Sequence, residues 1–282
     1  MMKKILALLL TLCLCICFPI GASAASEDEI TTAFEATGDY MASLGEPTAG
    51  STGGEWMVLG FARSGREIPK SYYESVVTYV KEHIDKNERL HKVKCTNNCR
   101  FIIALTAIGK DVTDVGGHDL LAGLDDLNYI RKVGVTGAAW TLLAFDSGDY
   151  EMPSGIDRET LVQTILNYEV KNGGWANSGD KADPDVTCMV IQALAPYRTE
   201  NAQVQSAIDK AVTILSEMQD ATGNFPSQYS TSSESIAQVI VALSTLGIDV
   251  GSDARFVKDG VSALDGLLSY YVEGGGFRQQ VL

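Results

Sequence analysis

The sequence predicts an all-α protein: a ring of helical hairpins with amphipathic helices outside and apolar ones inside. Three observations predict it. Beyond residue 24 helical periodicity runs almost without interruption, and strand alternation persists nowhere. Segments with one apolar face alternate strictly with segments apolar almost all round, which is the pattern of half-wet and fully buried helices. Equivalent points recur every 40–50 residues or so, the period of a hairpin repeat.

Residues 1–24 stand apart. Met1–Lys4 is short and basic, residues 5–18 are apolar, Pro19 and Gly21 break the run, and Ala22-Ser23-Ala24 is a small-residue cleavage site. This is the pattern of a secretory signal peptide, too short for a comfortable membrane span. Cleavage is expected after Ala24, leaving residues 25–282 as the exported domain. The expected location is therefore secreted or at the cell surface.

The half-wet segments come first in each hairpin. Residues 30–44 place Ile30, Ala33, Phe34, Met41 and Leu44 on one face, and 72–84 do so with Tyr73, Val76, Val77, Val80 and Ile84. Residues 119–131 use Leu120, Leu124 and Leu127, and 157–170 use Leu161, Val162, Ile165 and Leu166. The last two are 202–219 and 255–272, the latter through Val257, Val261, Leu264, Leu268 and Tyr271. Between them lie the dry segments 56–62, 101–108, 138–145, 186–195 and 236–246. Six outer and five inner helices fall one short of six closed hairpins, so a twelfth helix is expected to be missing. The final "GGGFRQQVL" repeats the junction that precedes inner helices elsewhere, which predicts a C-terminally truncated chain.

The junctions share a template. Glu169-xxx-Gly173-x-Trp175, Gln219-xxx-Gly223-x-Phe225 and Tyr271-xxx-Gly275-x-Phe277 recur about 50 residues apart, and Gly54-Glu55-Trp56 is a fragment of it. Glycine supplies the left-handed turn that ends an outer helix. Acidic or hydroxyl residues then precede the inner helix, as helix starts favour: Asp183-Pro184-Asp185 and Ser232-Ser233-Glu234.

The composition narrows the chemistry. A net charge of −14 with no Lys/Arg block disfavours a nucleic-acid partner or an anionic membrane surface. Three of the six cysteines lie in the signal segment, leaving Cys95, Cys99 and Cys188, a poor disulfide framework. Cys95 and Cys99 are either a bridge or two buried thiols. His91, Cys95 and Cys99 sit at i, i+4 and i+8; on one helix the ends are roughly 12 Å apart, too far to share an ion. No metal and no cofactor is expected.

These residues together resemble the prenyltransferase and squalene-cyclase repeat superfamily, the α6/α6 toroids. The junctions look like degenerate QW motifs, and "NGGWANSGDKADPDVTCMVIQALAPY" (172–197) and "SESIAQVIVALSTLGID" (233–249) resemble an exported bacterial branch. The resemblance implies a toroid over residues 27–282, but no single activity, because this fold hosts enzymes, cobalamin carriers and thioester domains. Prenyltransferase zinc needs an Asp, a nearby Cys and a later His; Asp185 and Cys188 have the wrong spacing, and His83, His91 and His118 all lie upstream. The Cys-Gly-Glu-Gln run of thioester domains is absent. The cyclase acid motif D-x-D-D-T is matched in part by Asp183-Pro184-Asp185-Val186-Thr187, with Asp185 in the acid position and Val186 replacing the last Asp.

Two classes of function remain. The leading expectation is an exported toroid domain that binds an unidentified small molecule or extracellular partner, with no reaction established. Its candidate ligand residues are Glu55, Trp56, Trp140, Trp175, Asp183 and Phe225; the aromatic ones either line a pocket or plug gaps between hairpins. The alternative is a terpene-cyclase-like or carbohydrate-active enzyme with Asp185 and Glu234 as rim carboxylates; sugar hydrolysis needs such a pair roughly 5–10 Å apart. A cobalamin-type carrier is the third reading.

Overall fold

In the computed structural model, which describes residues 25–51, 53–227 and 231–279, eleven α-helices carry the chain. Residues 1–24, expected to be a signal segment, lie outside the described residues. In chain order the helices are α1 (Glu27–Ser43), α2 (Gly54–Ser64), α3 (Lys70–His83), α4 (Thr96–Ala107), α5 (Leu127–Arg131) and α6 (Gly134–Asp146). There follow α7 (Arg158–Leu166), α8 (Pro184–Leu194), α9 (Ala202–Met218), α10 (Ser233–Thr245) and α11 (Ala263–Leu268).

The five dry segments became α2, α4, α6, α8 and α10, and each packs against the next in that order. The half-wet helices lie against this succession: α7 on α6, α9 on α8, α11 on α10. Helix α1 touches both α2 and α11, so it joins the beginning of the described chain to its end. The main core includes Phe101, Ile102 and Leu105 of α4, Leu142 and Phe145 of α6, and Val190, Ile191 and Leu194 of α8, all completely buried. The helices at either end of the succession are wetter than their composition suggests, for Trp56 of α2 and Val241 of α10 stay exposed.

Two expected outer helices take another form. Residues 119–131 break into a 3-10 turn, Ala122–Leu124, and α5. Asp126 causes the break: its carboxylate accepts from the Asn128 N–H at 2.8 Å and starts a new helix. Leu120 and Leu124 are buried all the same. Residues 255–272 do not form one helix either. An antiparallel hairpin pairs β1 (Val257–Lys258) with β2 (Val261–Ser262), and α11 follows. Asp259 and Gly260 turn it with φ of 52° and 84°. Asp-Gly between β-branched residues is a strong two-residue hairpin signal, and it overrides the helical spacing of Val257 and Val261. Ser262 and Asp265 then form a reciprocal capping box that opens α11.

The junction template is one recurring turn. In each copy a backbone N–H donates forward to the carbonyl four residues on: Val170 to Gly174, Asp220 to Asn224, Val272 to Gly276, each at 3.0 Å. The glycine three residues on, Gly173, Gly223 or Gly275, has φ of 101°, 79° or 114° and donates back to the first carbonyl. The next-but-one residue is the aromatic. A fourth copy stands at Asp85–Arg89, where Glu88 takes the left-handed position at φ 59° and Leu90 replaces the aromatic.

Candidate functional site

A cavity of about 310 Å³ opens where the starts of four inner helices converge. Helix α2 contributes Trp56; α6 contributes Thr136, Trp140 and Leu143; α8 contributes Asp185, Val186, Met189 and Gln192; α10 contributes Glu234 and Gln238. Asn177, in the loop before α8, completes the wall. Thr136, Trp140 and Leu143 are spaced i, i+4, i+7, as are Asp185, Met189 and Gln192, which is one face of a helix in each case. The cavity is at the small end of ligand sites, which run from about 300 to 1,000 Å³.

Its aromatic side is a pair. The Trp56 and Trp140 rings lie 5.3 Å apart between centroids and are tilted by 59°, with Trp56 46% exposed. Its polar side is held by hydrogen bonds among the lining residues. The Thr136 hydroxyl donates to Asn177 Oδ1 at 2.6 Å, and Gln192 Nε2 donates to Gln238 Oε1 at 3.2 Å.

Asp183 and Asp185 have separate work. Asp183 is the N-cap of α8, its Oδ1 accepting from the amides of Asp185 and Val186 at 3.0 and 3.1 Å. Asp185, in the first turn, faces the cavity. Burial pushes its carboxyl above the ordinary value, a hydrogen bond from Ser235 pulls it down, and the neighbouring Asp183 and Glu234 charges push it up again. Ser232 is the cap of α10, so Glu234 is likewise a first-turn residue free of capping, and it accepts from the Ser233 hydroxyl at 3.2 Å. Among the described residues neither Asp185 nor Glu234 forms an ion pair, and no Lys, Arg or His lines the cavity.

Against protein-family models, curated proteins and solved structures, the chain shows no match.

The remaining candidate residues lie elsewhere. Trp175 is completely buried, and its indole N–H donates to the Ile165 carbonyl at 2.9 Å; its backbone is pinned by Thr187 at 3.0 Å. Phe225 is completely buried too. Both are plugs between hairpins and offer a ligand no surface. Glu55 starts α2 as expected but is only 2% exposed. It accepts from the Gly50 amide at 2.8 Å and pairs with Arg100 Nε at 2.9 Å. Burial raises its carboxyl despite both partners. The Tyr72 hydroxyl, pushed up by burial and by the Glu55 charge, belongs to the same enclosed cluster.

Among the described residues the cysteines, Cys95, Cys99 and Cys188, are free, buried thiols. Cys99 lies 3.8 Å from the Thr141 hydroxyl, and burial pushes its thiol well up, which keeps it protonated and unreactive. No group of three or more His, Cys, Asp or Glu residues that could hold a metal occurs among the described residues.

Sequence reasoning missed Thr136, Asn177, Met189, Gln192 and Gln238. For Met189, Gln192 and Gln238 the signal was there: a polar or thioether side chain at i+4 or i+7 from the first-turn acids Asp185 and Glu234, on helices otherwise apolar, marks the face that turns to a cavity. It also missed Arg100, because a basic residue near a helix start carries no mark of a buried acid 45 positions earlier.

Proposed function

We propose that this chain is an exported, ligand-binding domain of the α/α-toroid kind, and that the cavity between the inner-helix starts is its binding site. The single observation that carries this is convergence. Helices from both ends of the inner succession, α2 and α10, bring Trp56, Glu234 and Gln238 to the same cavity as Trp140 and Asp185. An open succession of hairpins bent into an arc brings its first and last members round one axis; this favours the toroid arrangement and the likeness to prenyltransferase and squalene-cyclase repeats. Unpaired carboxylates and a half-exposed tryptophan lower stability and are explained by a ligand that covers them. The signal-like start supports work at the cell exterior.

Three tryptophans make a direct test. Fluorine NMR of 5-fluorotryptophan-labelled protein should resolve Trp56, Trp140 and Trp175. In a screen of soluble amines, sugars and carboxylates, a ligand of the cavity shifts Trp56 and Trp140 and leaves buried Trp175 in place. A screen in which no compound moves Trp56 or Trp140 counts against the reading.

The second reading is an enzyme using Asp185 as acid, with Glu234 beside it. It is favoured by the raised carboxyl of Asp185, which would be held protonated at higher pH than an isolated aspartate. Against it stands Val186 in place of the last acidic residue of the cyclase motif. Asp185→Asn discriminates: it abolishes turnover of a terpenoid or glycoside substrate if the acid is catalytic.

A further inference from the structure

The cavity has an electrostatic imbalance that no ion pair among the described residues relieves. The Asp183 and Glu234 charges both repel an ionised Asp185. The ten ion pairs of the described residues use neither side chain facing the cavity. The hydrogen bonds they accept come from neutral serine hydroxyls, Ser235 for Asp185 and Ser233 for Glu234. Opposite them the Trp56 and Trp140 rings form a wedge, 5.3 Å between centroids at 59°, with part of the Trp56 surface open to solvent.

Each feature selects by charge. An anionic ligand would meet two carboxylates and no base. A neutral sugar could stack on tryptophan and bond to Asn177, Gln192 or Gln238, but it would leave the carboxylate repulsion as it was. A cation is attracted by the carboxylates and by the negative faces of the rings. A bare metal ion gains nothing from tryptophan and finds no ligand cluster here. An alkylammonium group, by contrast, has a charge for the acids and apolar surface for Trp56, Trp140 and Met189. The size fits: about 310 Å³ admits a head group of a few heavy atoms.

We propose that the cavity is a receptor for an organic ammonium group, held between the Trp56–Trp140 wedge and the Asp185–Glu234 pair. This rests on the reading of the cavity as a ligand site and names the class of ligand. The ammonium can come from a free quaternary amine or from a lysine side chain of a peptide; the shared chemistry is an ammonium carried on alkyl groups.

The test uses the fluorotryptophan-labelled full chain and four probes: choline chloride, its uncharged carbon isostere 3,3-dimethylbutan-1-ol, Nα-acetyl-lysine methylamide, and N-acetylglucosamine, with sodium chloride matched throughout. Choline or the lysine amide should shift Trp56 and Trp140 saturably, and choline should bind about tenfold or more tightly than the isostere; which ammonium binds better tells the source. In Asp185→Asn/Glu234→Gln the preference for choline over the isostere should vanish, with an unmoved Trp175 signal reporting an intact fold. If the isostere or the sugar shifts Trp56 and Trp140 as strongly as choline, the charge assignment is overturned while the ligand site stands. If no probe moves either signal, the ammonium proposal falls, and the wider screen decides whether the site falls with it.

Discussion

Asp183 and Asp185, two residues apart at the start of α8, divide structure from surface. Asp183 Oδ1 holds the amides of Asp185 and Val186, while the Asp185 side chain turns into the cavity beside Glu234. Replacing each should therefore have opposite effects. Asp183→Ala removes an N-cap and should lower stability by about 0.5–2 kcal/mol. Asp185→Asn removes a charge repelled by its neighbours and should leave stability unchanged or raise it, as is common where a site is held for function. Urea denaturation of both variants checks this; equal destabilisation would contradict the division.

The same carboxyl predicts a pH dependence. Its value in the folded protein lies above the ordinary 3.8, chiefly through burial. The folded state thus favours the protonated form. That contribution is fully present below about pH 3.8 and is lost as pH rises through the raised folded value. Melting curves from pH 3.5 to 7 should show the Asp185→Asn variant gaining on the wild type as pH rises, then holding a constant lead. Glu55 is shifted in the same direction from 4.5 and is present in both proteins, so it cancels in the comparison.

The Glu55–Arg100 pair should be costly to break on one side only. Glu55 is almost wholly enclosed; its Oε1 accepts from the Gly50 amide, and its Oε2 meets Arg100 Nε as an ion pair at 2.9 Å. Arg100→Met strands the carboxylate and should cost about 3–5 kcal/mol, whereas Glu55→Gln with Arg100→Met should recover much of that loss. A double-mutant cycle by chemical denaturation measures the coupling.

Much of this architecture was legible in the sequence, and the exceptions have local causes. The alternation of half-wet and dry segments marked α2, α4, α6, α8 and α10, because burial demands apolar residues wherever a helix is covered. It misread 255–272, where Asp259-Gly260 asserts a hairpin, and 119–131, where Asp126 starts a helix afresh. The turn at Glu88 was hidden because a non-glycine residue occupies its left-handed position. Of the candidate site, the first-turn acids and Trp56 and Trp140 could be found, since helix starts share one end of the fold. Trp175 and Phe225 could not be separated from them: whether an aromatic lines a cavity or fills a gap depends on the packing around it, which residue type does not encode.

Two glycines separate backbone strain from crowding. Gly223 and Gly247 have nearly the same φ, 79° and 76°. A methyl group on Gly247 meets nothing, whereas one on Gly223 runs into the Ser262 carbonyl oxygen and the backbone of Gly266. Gly247→Ala should therefore cost only the left-handed penalty, about 1–2 kcal/mol. Gly223→Ala should cost clearly more, because the junction turn must separate from the start of α11. Thermal melts of the two variants give the comparison, and similar losses would mean that the contact with α11 relaxes freely.

The last prediction joins export to stability. The Ala25 amide donates to Asp265 Oδ1 at 2.6 Å, while Oδ2 of the same carboxylate serves the Ser262 capping box. Cleavage after Ala24 would convert that amide into an ammonium group and the contact into a charge-assisted bond. Such bonds contribute about 1.5–3 kcal/mol, against about 0.5–1.5 for neutral ones. Mass spectrometry of exported protein should find Ala25 at the N-terminus. Asp265→Asn should then destabilise the chain with a free Ala25 amine by about 1 kcal/mol more than the same chain with that amine acetylated. The capping box is lost equally in both, so the difference isolates the terminal pair. Equal losses would show that the new terminus does not bind Asp265, and recovery of exported protein that retains Met1 would remove the cleavage itself.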